Sequence, residues 1–97
     1  MSHALSNSEK RDLKARAQRL EPVIKLGHSG MSEAFLKSMD EALTTHELVK
    51  LKFADFKEEK KTLAPEIAER THSELITLVG NVAVYFRAKD HADESED

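Results

Sequence analysis

The chain has no cysteine, no tryptophan, one tyrosine, two prolines and three glycines among its 97 residues. Without thiols there can be no disulfide, no thiolate metal site and no cysteine nucleophile, and a reducing cytoplasm is the compartment that fits. No stretch approaches the roughly 18 apolar residues that a membrane span requires, and the N-terminal stretch carries no apolar run of signal-peptide length. The expectation is a cytoplasmic protein with no membrane partner. The length suits one small domain, which excludes a multidomain enzyme and leaves stability to a single unstapled apolar core.

Charge is unevenly distributed. The formal net charge is −3, but residues 90–97 hold Asp90, Asp93, Glu94, Glu96 and Asp97 and no Lys or Arg. Removing those five acids leaves 15 basic against 13 acidic groups, a body of +2. Lys10, Arg11, Lys14, Arg16, Arg19 and Lys25 stand against Glu9, Asp12 and Glu21 near the start. That excess fits either a nucleic-acid contact or a solvated helix face with charges paired at helical spacing.

Hydrophobic periodicity divides the chain into seven elements. Ser6 followed by Glu9 has capping-box spacing and predicts a helix with Leu13, Ala17 and Leu20 inward, stopped by Pro22. Val23 to Leu26 reads as a short strand, Gly27-His28-Ser29-Gly30 as the turn out of it, and Met31 to His46 as a helix anchored by Phe35. Leu48 to Phe53 alternates, predicting Val49, Leu51 and Phe53 inward and a wet basic face carrying Lys50 and Lys52. A third helical segment lies between Lys57 and Thr71. Its Pro65 allows two solutions: a short helix capped by Thr62 with the proline in its first turn, or a helix from about Lys57 kinked at the proline. Leu75 to Val79 and Val82 to Arg87 flank Gly80-Asn81, a pair suited to a two-residue hairpin turn. The αβαβαββ order predicts a two-layer α+β (or α/β) body with a mixed four-stranded sheet over residues 1–89, followed by a disordered acidic tail over 90–97.

The chemistry points to the strand-to-helix bend. Two glycines three apart, followed by a helix start with unpaired N–H groups, suit an anion such as a phosphate, although a plain turn needing permissive torsions explains the glycines equally well. Glu33 opposes an anion at that terminus. Gly27-His28-Ser29 also has the start of a hydrolase nucleophile elbow, but residue 31 is methionine where that motif needs glycine. His3, His28, His46, His72 and His91 lack metal-ligand spacing, and the Glu and Lys residues of the third helix pair as an ordinary helix face. No catalytic constellation, metal site or cofactor is expected. Tyr85 and Arg87 alternate onto one side of the last strand, where a ring could stack on a base or simply lie half-buried.

Three blocks together carry a resemblance to a known family: L-G-H-S-G-M-S-E at Leu26 to Glu33, H-E-L-V-K-L-K at His46 to Lys52, and V-G-N-V-A-V-Y-F-R at Val79 to Arg87. From about Leu5 to Arg87 the chain resembles a stand-alone CRM domain of the YhbY type. The resemblance implies an RNA-binding domain similar in fold to the C-terminal domain of bacterial translation initiation factor three. It also implies association with precursors of the large ribosomal subunit, the role of stand-alone bacterial members; plant organellar relatives promote group II intron splicing. The family's G-x-x-G loop, similar to that of KH domains, falls on Gly27, His28, Ser29 and Gly30. Pro65 and the acidic tail depart from the family pattern.

The resulting expectation is a monomeric, non-enzymatic RNA-binding protein that aids large-subunit assembly through ribosomal RNA. Gly27, His28, Ser29 and Gly30 would form the contact, supported by Lys25, Lys50, Lys52, Arg87 and the helical Lys10, Arg11 and Lys14. The alternative is a protein-interaction module that docks on ribosomal proteins or other assembly factors through its acidic tail.

Overall fold

A computed structural model describes residues 5–88; the acidic segment 90–97 lies outside the described residues. Helix α1 (Asn7–Ala17) starts as a complete capping box. The Ser6 Oγ accepts the Glu9 N–H at 3.1 Å and Glu9 Oε1 accepts the Ser6 N–H at 2.8 Å, which satisfies two otherwise orphaned donors. The helix ends well before Pro22, so Leu20 falls in the following turn and is 39% exposed instead of continuing the buried stripe of Leu13 and Ala17.

Strand β1 (Ile24–Leu26) leads through the glycine bend to α2 (Glu33–His46), whose Phe35, Met39 and Leu43 recur on one face and are buried. Strand β2 (Leu48–Phe53) follows. A 3-10 turn at Lys57–Glu59 runs into α3 (Lys60–Arg70), which carries Pro65 in its interior. The alternative in which Thr62 caps a shorter helix therefore falls. The donor that Pro65 lacks would have served the Lys61 carbonyl, and both residues are exposed, where water can take its place. Strands β3 (Glu74–Val79) and β4 (Val82–Phe86) form the hairpin, with Gly80 at φ +58 in the first turn position. Lys60 clips this turn to α3 by donating to the Gly80 carbonyl at 2.6 Å and to Asn81 Oδ1 at 3.0 Å.

The mixed sheet has the order β1-β2-β4-β3. β1 is parallel to β2, and β4 is antiparallel to both β2 and β3. The tight hairpin folds β4 back between β2 and β3, leaving β1 and β3 as edges. On one face α2 and α3 cover Leu26, Val49, Leu51, Phe53, Ala83 and Tyr85. On the other, Leu13 and Ala17 of α1 pack on Leu48, Ile76 and Val84, so the expected two layers gain a partial third.

That third layer corrects the reading of β2. Its second face is not uniformly wet: Leu48 is buried beneath α1, and Lys50 is half-buried with its Nζ donating to the Leu20 carbonyl at 3.0 Å. Only Lys52 remains exposed there. Tyr85 likewise points into the core, fully buried, and donates its hydroxyl proton to the Ala64 carbonyl at 2.9 Å. It has no ring free for stacking. Burial pushes the phenol's pKa well above its ordinary value, because the charged form would lose its hydration.

Replacing Tyr85 by Phe should lower stability by about 1 kcal/mol at neutral pH, since the Ala64 carbonyl loses its phenol donor. The folded phenol has the raised pKa, so its contribution is intact below about pH 10 and fades as pH rises further. Urea denaturation should therefore show the gap between the two proteins closing in alkali, and equal stability at neutral pH would contradict the assignment.

Candidate nucleic-acid interface

The bend between β1 and α2 is held from three directions. The Leu26 carbonyl accepts the N–H groups of both Ala54 (3.1 Å) and Asp55 (3.0 Å), which ties the end of β1 to the end of β2. The Gly27 carbonyl accepts the Gly30 N–H at 3.0 Å, closing the turn. Ser32 caps α2, its Oγ accepting the Phe35 N–H at 3.1 Å and its carbonyl accepting the Leu36 N–H at 3.0 Å.

The main-chain N–H groups of His28, Ser29, Met31, Ser32, Glu33 and Ala34 have no acceptor among the described residues. They are concentrated where the dipoles of α2 place partial positive charge, so the segment can receive an anion through backbone donors. His28 and Ser29 are exposed beside them. Glu33 is also exposed and does not line the groove that runs past the bend, so its carboxylate need not compete within that groove.

The two glycines serve different ends. Gly30 lies at φ +67, and a Cβ there would sit 3.4 Å from the Phe56 ring. Gly27 has no such φ, and a Cβ would meet nothing within 4 Å. Backbone torsion thus demands glycine at 30, while at 27 the missing side chain leaves open space in front of the bend. Phe56 supports the loop from below, and its own backbone is left-handed (φ 56, ψ 36), with its N–H donating to Asp55 Oδ1 at 2.9 Å. Sequence reasoning missed this residue, because an isolated aromatic after a strand has no periodic partner to mark it.

The cations expected at the site divide into four groups. Lys25 and Lys52 are direct cross-strand neighbours, both exposed and without an acidic partner among the described residues. Like charges so placed repel, and an anion between them relieves the repulsion. Lys10, Arg11 and Lys14 lie on α1, on the same side of the sheet, but α1 packs on Leu48, at the end of β2 opposite the bend. Lys50 is committed to the Leu20 carbonyl.

Arg87 departs from its expected role altogether. Its N–H donates to the Glu47 carbonyl at 2.9 Å, next to the start of β2, whereas the bend adjoins Phe53 at that strand's end. The strand separates them by about 20 Å. The guanidinium is occupied as well: Nη1 contacts Asp40 Oδ1 and the Thr71 carbonyl, both at 2.8 Å. Nη2 contacts the Asp40 carbonyl at 3.0 Å and Thr44 Oγ1 at 2.9 Å. Arg87 clips β4 to α2 and to the end of α3, and it is removed from the candidate interface. Among the described residues no group of three His, Asp or Glu side chains could hold a metal ion.

The α+β domain thus presents free amides beside two adjacent exposed lysines at one bend, and comparison with known proteins places the chain in a family. Residues 5–87 match the CRS1/YhbY (CRM) domain. A Haemophilus influenzae protein named "RNA-binding protein" is 34% identical over 89 residues, covering 91% of this chain and 90% of the relative. The Bacillus subtilis protein YqeI is 29% identical, covering 86% of this chain and 88% of the relative. The solution structure of the hypothetical protein SAV1595 from Staphylococcus aureus superimposes with a TM-score of 0.76 at 31% identity, covering 91% of this chain and 93% of that one. The chain belongs to the CRS1/YhbY (CRM) domain family.

The glycines provide a direct check on the loop geometry. Gly30→Ala should cost about 1 kcal/mol through its left-handed backbone, whereas Gly27→Ala should change stability by no more than a few tenths. Thermal or urea unfolding measures both, and equal losses would contradict the distinction.

Proposed function

We propose that this protein is a non-catalytic, monomeric, cytoplasmic RNA-binding protein that associates with ribosomal RNA in precursors of the large ribosomal subunit and aids their assembly. The observation that carries the proposal is the set of unpaired amides at His28, Ser29, Met31, Ser32, Glu33 and Ala34 beside the exposed, adjacent Lys25 and Lys52. In this reading the amides meet phosphate oxygens, and the open space at Gly27 lets the RNA backbone come close. His28 and Ser29 make adaptable contacts that impose little sequence preference. Lys25 and Lys52 draw the polymer in and release counterions, and Lys10, Arg11 and Lys14 add longer-range attraction. The resemblance to stand-alone bacterial CRM proteins supports the ribosomal destination, and relatives named for RNA binding support the class of ligand.

With roughly four phosphates engaged on an unpaired strand, log affinity should fall with log salt at a slope of about −3. A mobility shift across a salt series measures this slope, and salt-insensitive binding would contradict the proposal. Gly27→Asp should weaken binding at every salt concentration while circular dichroism remains that of the folded protein. Association with pre-ribosomal particles should be lost after ribonuclease treatment; particles that retain the protein once their RNA is digested would point instead to docking on a ribosomal protein.

A further inference from the structure

A groove of about 420 Å³ runs from the glycine bend along the outer side of β1. One wall is the strand itself and the other is the first turns of α2, where Ser32, Ala34, Phe35 and Ser38 line it. No carboxylate lines the groove, and its ionisable side chains are Lys25 and His28. The exposed side chains on the helical wall, Ala34 and Ser38, are small, which leaves the space between helix and strand open.

The hydrogen-bond phase of the sheet gives this groove a second feature. β1 is an edge strand. The Leu26 carbonyl faces β2, where it accepts the Ala54 N–H. Backbone polar groups alternate sides along a strand, so Lys25 turns its N–H and its C=O outward, to the side where no strand pairs with it. The groove therefore has a main-chain donor and acceptor from one residue along one wall, an opening floored by free amides at one end, and positive side chains nearby.

We infer that this groove receives unpaired nucleotides. A base lies against the Lys25 main chain, its donor and acceptor edge meeting the C=O and N–H, while the adjoining phosphate sits on the amides of the bend. The inference rests on the RNA-binding reading and deepens it by naming the form of RNA. A base in a duplex has its pairing edge occupied by its complement and cannot offer it to Lys25, so single-stranded segments, loops and bulges are the substrates. Every base places a donor beside an acceptor on that edge. The recognition is accordingly selective for an unpaired state and tolerant of sequence.

The test uses the full chain and a fluorescein-labelled RNA of about ten nucleotides, offered single-stranded or annealed to its complement, with binding followed by anisotropy. The single strand should bind roughly tenfold more tightly than the duplex. Ser38→Phe or Ser38→Trp, each filling the groove from an exposed helix position, should remove that preference and leave the weaker duplex binding unchanged; circular dichroism confirms that each variant is folded. Gly27→Asp, which acts on the shared phosphate contact, should weaken both forms of RNA. Equal affinity for the two forms, or a preference that survives both groove-filling substitutions, would overturn the inference while leaving the RNA-binding reading in place. Failure to bind either RNA would overturn both.

Discussion

Parallel pairing of only three residues, Ile24 to Leu26 against Leu51 to Phe53, holds β1 on the sheet, and the Leu26 carbonyl extends that hold by taking the two amides that follow β2. Everything at the bend depends on this junction. It fixes the level at which the chain leaves the sheet, brings the Phe56 ring beneath Gly30, and sets the start of α2 where its first amides have no partner. It also fixes the hydrogen-bond phase of β1, and so determines that Lys25 faces outward with its backbone groups while its side chain stands beside Lys52. A longer parallel strand could be stabler, but it would bury polar groups that this arrangement leaves available.

The site is electrostatic in a local sense. The chain as a whole is negative, at −3, and no uniform field draws an anionic polymer to it. What remains is a small region where helix dipoles, unpaired donors and two adjacent lysines coincide without a lining carboxylate. Arg87, just past the last strand, is excluded from this region, because it uses its planar fork to join three elements at the other end of the sheet. Positive charge is thus divided between an arginine that joins elements at one end and two exposed, adjacent lysines at the other.

Much of the fold was legible because several elements carry local signals that tertiary structure had no reason to override. The capping box at Ser6 and Glu9, the alternation from Leu48 to Phe53 and the Gly80-Asn81 turn each specify their own geometry. The bend was legible for the same reason, since Gly27 to Gly30 joins a strand directly to a capped helix. What could not be read depends on partners distant in sequence. Alternation in β2 shows which residues share a face, but not that α1 returns over Leu48 or that Lys50 finds the Leu20 carbonyl. Tyr85 and Arg87 have the right chemistry for RNA, and only the packing of α3 and α2 against β4 commits them elsewhere. Pro65 was ambiguous because exposure of the carbonyl it deprives, not its own ring, decides what the helix tolerates.

The most direct measurement is a titration of ¹⁵N-labelled protein with a short single-stranded RNA, following the backbone amides by NMR. The largest shifts should cluster at His28, Ser29, Met31, Ser32, Glu33 and Ala34, with Lys25 and Lys52 moving alongside them and Arg87 and Tyr85 still. Shifts concentrated on α1 or on the outer side of β3, with the bend amides unmoved, would contradict this interface.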